Sequence, residues 1–146
     1  MRNFGRHSLK LKEEEGKKFI WDPIRKGWFP AFPEEFVRQQ VIATLLEDLK
    51  VPSIYIAPEW KITKELRADV VVFGIDLKPK LVVECKAPNK PINPATWIQI
   101  FEYVEKLKPR FLWLTNGRNN WIARFDEETK NWQQIATLPH WDELKQ

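Results

Sequence analysis

Two apolar runs, each broken near one end by a carboxylate, constrain this chain more than any other feature. In Arg67-Ala68-Asp69-Val70-Val71-Val72 an aspartate opens a valine run, and in Leu81-Val82-Val83-Glu84-Cys85-Lys86 a glutamate and a lysine close one. β-Branched residues at this density favour strands, and the turn-forming stretch Gly74 to Pro79 between them favours a hairpin. That hairpin brings Asp69 alongside Glu84. Because side chains alternate along a strand, Glu84 and Lys86 share one face while Val83 and Cys85 take the other. Charges set among valines are costly unless they pair or jointly hold a cation, so the three groups are read as one site.

The surrounding elements follow from punctuation and period. Pro33, with Glu34 and Glu35 behind it, suits the first turn of a helix that runs to about Lys50. At 100° per residue Val37, Val41, Ile42, Leu45, Leu46 and Leu49 form one broad arc, and Glu34 and Arg38 fall on that arc at its start. Short β-rich runs are expected at Ser53 to Ala57, Ile62 to Phe73 and Lys80 to Lys86. A second helix from about Ala95 to Leu107 ends before Pro109. Phe111 to Thr115 reads as a strand, Asn116-Gly117 as a turn, Trp121 to Phe125 as the returning strand, and Trp132 to Thr137 as an edge strand. The expected fold class is α/β, an α+β mixed sheet flanked by helices in the order α-β-β-β-α-β.

One domain fits the length of 146 residues. We divide it into a basic, aromatic N-terminal segment (1–32), a central domain (33–138) and a C-terminal tail (139–146). Residues 1–32 carry eight Lys/Arg against four Asp/Glu, whereas residues 33–146 carry sixteen of each, so the excess positive charge sits at the N-terminus. It reads either as an arm that tracks phosphates or as a leader that keeps the chain soluble. Its prolines and aromatics, from Phe19 to Phe32, predict irregular packing on the domain surface. The lone Cys85, with no apolar leader and no long apolar run, points to a cytoplasmic location and no membrane. No G-x-x-x-x-G-K-[ST] loop occurs, so no ATP motor is encoded in these residues.

Two carboxylates and a backbone carbonyl make a hard oxygen site suited to Mg2+, with Mn2+ as a substitute. We therefore assign Asp69, Glu84 and the carbonyl of Cys85 as candidate metal ligands. A phosphodiester needs an activated water and stabilisation of charge on the phosphoryl oxygens. A metal beside a lysine supplies both, with a metal-bound water as nucleophile and Lys86 orienting it or steadying those oxygens. Glu34 is a further acid entering from the first helix, and Gln99 and Tyr103 lie one turn apart on the second. The competing reading is an ion pair at the solvated end of a sheet.

These motifs carry a resemblance. R-A-D-V-V-V at 67–72 and V-V-E-C-K-A-P at 82–88 resemble the PD-(D/E)xK nuclease superfamily. Pro33 to Gln39, the Q-x-x-x-Y of Gln99 to Tyr103, and Thr115-Asn116-Gly117 resemble the N-terminal nuclease domain of type I restriction enzyme R subunits, over about residues 20 to 138. The resemblance implies a restriction-endonuclease-like core, metal binding by Asp69 and Glu84, catalysis by Lys86, and a supporting acid at Glu34, with Glu35 as its possible substitute. It also implies Gln99 as a contact to metal site or phosphate. The activity implied is Mg2+-dependent hydrolysis of DNA, as an endonuclease. Partners implied are DNA and either a second copy in a homodimer or separately encoded restriction and motor subunits. A non-catalytic nucleic-acid-binding or assembly module is the alternative, and an adaptor docking protein through its aromatic N-terminal segment is a third.

Overall fold

The computed structural model describes residues 7–93 and 95–146, without the side chains of residues 95–99. Strands β1 (Leu11–Glu14), β2 (Lys17–Asp22) and β3 (Gly27–Pro30) form an antiparallel sheet of their own. Regular structure here corrects the expectation of irregular packing from Phe19 to Phe32. The turn between β1 and β2 places Glu15 and Gly16 at φ of 50° and 75°, the left-handed pair that closes a tight hairpin, and Pro30 is tolerated because it ends its strand.

Helix α1 (Pro33–Ala43) starts with proline at its first position and two acids in the first turn, then widens into a π-helical turn at Thr44–Asp48. Its apolar arc packs on a six-stranded sheet ordered β4 (Ile56–Lys61), β5 (Arg67–Phe73), β6 (Pro79–Cys85), β7 (Phe111–Thr115), β8 (Asn120–Asp126) and β9 (Asn131–Ile135). Ser53–Tyr55 form a short 3-10 turn ahead of β4. The strand predicted from Ile62 begins instead at Arg67, because the Thr63 hydroxyl accepts the Glu65 and Leu66 amides and closes a turn. Every neighbouring pair is antiparallel except β6 and β7, whose parallel pairing requires the crossover that helix α2 (Ala95–Leu107) provides.

The sheet is buried on both faces, which is why its central strands read as continuous apolar runs. Val37, Val41 and Ile42 of α1 and Leu45 of the π-helical turn meet Val70, Val72, Leu81, Val83 and Trp113 on one face. Ile100 and Tyr103 of α2 meet Val71, Val82, Leu112 and Leu114 on the other. A short helix α3 (Trp141–Leu144) returns to the first face, with Leu144 fully buried and Trp141 stacked on Tyr55 at 4.8 Å between ring centroids. Gly74 has a steric reason, since a Cβ there would lie 2.5 Å from Lys80 Cε and 3.0 Å from the Lys145 carbonyl. Ile42 is completely enclosed between α1 and the sheet. Ile42→Ala is expected to cost about 2–5 kcal/mol, read as a lowered urea midpoint. Among the described residues no helix is long and apolar enough to cross a membrane.

Candidate active site

The ladder between β5 and β6 pairs Val72 with Leu81, Val71 with Val82 and Val70 with Val83. Beyond Val70 the strands part, and the Asp69 carboxylate takes over from the backbone: its Oδ2 accepts the Cys85 amide at 2.7 Å. β6 keeps its other neighbour, as the Lys86 amide donates to the Thr115 carbonyl at 2.8 Å. The parted end is where Asp69, Glu84 and Lys86 come together. Lys86 Nζ lies 3.5 Å from Glu84 Oε1. The Tyr103 hydroxyl donates to the Arg67 carbonyl at 2.9 Å and so ties α2 to the start of β5.

Glu84 is only 5% exposed, and its buried Oε2 has no hydrogen-bond partner among the described residues. Burial first, then the charge of Asp69 and a hydrogen bond shared with it, push the Glu84 carboxyl up to about 9, against the opposing pull of Lys86. A carboxylate this far displaced stores a pH dependence. In the folded chain Glu84 keeps its proton up to about pH 9, whereas the unfolded chain loses it in the ordinary carboxylate range. Folding therefore binds a proton between those limits, and stability falls as pH rises through them. Glu84→Gln is expected to flatten that slope, a result read from urea midpoints at about pH 5 and about pH 9 in the presence of a chelator.

The donor set fits a hard divalent cation. Among the described residues Glu84 Oε2 is unused, and both Asp69 oxygens retain a lone pair beyond the contacts they make. The Cys85 thiol is completely buried, and burial followed by the Asp69 charge pushes it up, so this residue offers its carbonyl and not a thiolate. Among the described residues no group of three or more His, Cys, Asp or Glu is arranged to hold a metal. Two carboxylates and a carbonyl leave the remaining positions to water and substrate, as Mg2+ prefers.

Arg38 and Glu59 complete the site. Arg38 is 7% exposed and reaches three carboxylates, donating to Glu59 at 2.6 Å, to Asp69 Oδ1 at 3.0 Å and to Glu35. Glu35 also accepts from Arg25, whose Nε donates to the fully buried Asp22 at 2.6 Å. A polar chain thus runs Asp22–Arg25–Glu35–Arg38–Asp69, from the N-terminal sheet to the parted strands. Glu59 gives no periodic signal because it sits at φ 53°, which breaks the alternation of β4. Arg38 carries a faint one, a cation on an otherwise apolar arc.

Of the two acids at the start of α1, Glu35 is buried and Glu34 is exposed, the reverse of what the helical wheel predicts. The wheel counts only the apolar arc, whereas the N-terminal sheet and Arg25 cover the Glu35 side. Glu34 still faces the site: partial burial and the charge of Asp69 raise its carboxyl, while Lys86 and Arg38 pull the other way. The side chain of Gln99 lies outside the described residues. Asn116 is buried in a structural role, donating to the Lys90 carbonyl at 2.8 Å and accepting the Arg118 and Asn119 amides.

A mixed sheet between helices, with acids and a lysine where two central strands part, defines a restriction-endonuclease-like module. The family model for the type I restriction enzyme R protein N terminus matches residues 33–139, and the chain belongs to that family. The same fold occurs in a fragment structure assigned to an HsdR subunit of a type I restriction enzyme from Vibrio vulnificus, with a TM-score of 0.55 and 24% identity over 77% of this chain. The match spans 24% of that protein's chain. No curated protein sequence matches the chain.

Proposed function

We propose that this chain is a Mg2+-dependent nuclease module that hydrolyses phosphodiester bonds of DNA. The observation that carries this reading is the convergence of Asp69, Glu84 and Lys86 at the parted end of β5 and β6, with Glu84 Oε2 buried and, among the described residues, unused. Asp69, Glu84 and the Cys85 carbonyl would hold the cation. Bound there, it would supply Lewis-acid charge for activating water and for neutralising phosphoryl oxygens. Arg38 and the Cys85 amide fix Asp69 from two sides, so its free lone pairs keep one orientation. Lys86 stands beside Glu84, able to donate to the attacking water or to a phosphoryl oxygen. Glu34 supplies negative potential from the helix and favours a cation in the cleft. PD-(D/E)xK chemistry is the class this arrangement fits.

DNA is the substrate, and separately encoded restriction and motor subunits are the partners this reading implies. Because residues 33–146 carry as many acids as bases, binding by the module alone should be weak and salt-sensitive, which favours a partner or a second copy. The test is incubation of supercoiled plasmid and labelled single-stranded DNA with purified protein in Mg2+, Mn2+ or EDTA, with Asp69→Ala alongside. Metal-dependent cleavage that the variant lacks supports the reading. Cleavage that survives EDTA or persists in Asp69→Ala sinks it.

A further inference from the structure

The β1–β3 sheet precedes the residues matched by the family model, and one of its faces gathers aromatic rings and lysines. Along β2 the alternate residues Ile20 and Asp22 turn inward and are fully buried, which sends Phe19 and Trp21 to the opposite face. Register sets Trp28 opposite Trp21 and Lys12 opposite Phe19, so these side chains gather on one surface. The Trp21 and Trp28 rings meet edge to face at 5.3 Å between centroids. Lys10 Nζ stands 5.2 Å from the Trp21 ring and 5.6 Å from the Trp28 ring, and Lys12 Nζ is 4.7 Å from the Trp28 ring. Next to them lies a cleft of about 480 Å³ walled by Lys17, Lys18, Phe19, Pro30, Ala31 and Phe32, the last 68% exposed.

An aromatic cluster that served only to close a core would face inward, and lysines that served only solubility would have no reason to crowd onto rings. We infer that this face binds single-stranded nucleic acid, with bases laid on Phe19, Trp21 and Trp28 and phosphates held by Lys10, Lys12 and Lys17. Both halves of the surface match that ligand: every base has a flat π-face, and each nucleotide adds one negative charge within reach of an ammonium. Glu14, paired with Lys12 at 3.1 Å, is the one acid on the outward register positions of β1 and β2, so the face is net positive. A duplex fits less well, because its bases are already stacked and present only their edges. The location adds sense. β3 runs through Ala31 and Phe32 straight into α1, whose first turn holds Glu34 and Glu35 beside the candidate active site. The proposal concerns binding and stands whether or not the module cleaves.

The experiment is a titration of the full chain in EDTA with a labelled oligothymidine of about 15 nucleotides, followed by anisotropy and by tryptophan quenching, with a duplex of equal length and base-free heparin in parallel. Trp28→Ala is expected to weaken oligothymidine binding by about tenfold and Trp28→Phe by no more than about twofold, with far-UV dichroism unchanged. Lys10→Ala with Lys12→Ala is expected to reduce the salt slope by about 1.4, about 0.7 for each single-strand phosphate that is no longer neutralised. Equal affinity of a folded Trp28→Ala chain, tighter binding of duplex than of single strand, or an equal loss of heparin affinity in Trp28→Ala would each overturn the assignment. If Trp28→Ala does not fold, the lysine pair decides, since an unchanged salt slope also overturns it. The nuclease reading fails separately, by absence of metal-dependent cleavage, while this one is read without metal.

Discussion

Lys86→Ala is expected to lower metal-dependent DNA cleavage by about 10²- to 10³-fold, the usual cost of removing one group that stabilises developing charge. The fold should survive, because the Lys86 side chain sits at the rim, 27% exposed, and its backbone stays bonded to Thr115. DNA binding should change little, since one cation is removed from a chain that carries 24. A second effect accompanies the first. Lys86 opposes the upward displacement of Glu84, so its loss makes that carboxyl hold its proton more tightly and compete harder with a cation. The variant should therefore need more Mg2+ and gain more from raised pH than the parent chain does. Plasmid nicking measured across Mg2+ concentration and pH reads both effects. Wild-type cleavage by Lys86→Ala would remove the lysine from the mechanism.

Arg38→Met is expected to cost about 3–5 kcal/mol of stability, the largest loss we expect from a single polar substitution in this chain. The guanidinium serves Glu35, Glu59 and Asp69 together, and deleting it leaves Glu35, at 7% exposure, with Arg25 alone. Arg38→Lys should restore little, because a single ammonium cannot present a planar fork to several carboxylates at once. Removing the acid as well should help: Arg38→Met with Glu35→Met is expected to be more stable than Arg38→Met, since the stranded charge is gone. Urea unfolding of the two singles and the double closes the cycle. Additive losses would mean that the pair is not coupled.

Much of the site was legible because its logic is local. Alternation along two strands and a turn of known length are enough to bring Asp69 beside Glu84, and a carboxylate in a valine run has few structural uses. What escaped depends on neighbours that periodicity cannot see. Glu35 is buried by a sheet formed from residues 11–30, and that sheet was hidden because Glu-Gly is a less familiar hairpin turn than Asn-Gly and because Pro30 argues against a strand. Glu59 stands at a positive φ that no alternating pattern anticipates. The candidate catalytic groups lie on regular elements, whereas the residues that brace them do not follow a period.

The polar chain Asp22–Arg25–Glu35–Arg38–Asp69 has a consequence for what counts as one unit in this protein. The family match opens at Pro33, yet a polypeptide cut there would lose Arg25, the second guanidinium on a buried glutamate. The borders drawn by shared ancestry and by mechanical integrity therefore differ. Grafting residues 33–139 alone onto a motor domain would carry the carboxylates, the lysine and Arg38 across, but not Arg25 and Asp22, which hold Glu35 from the other side.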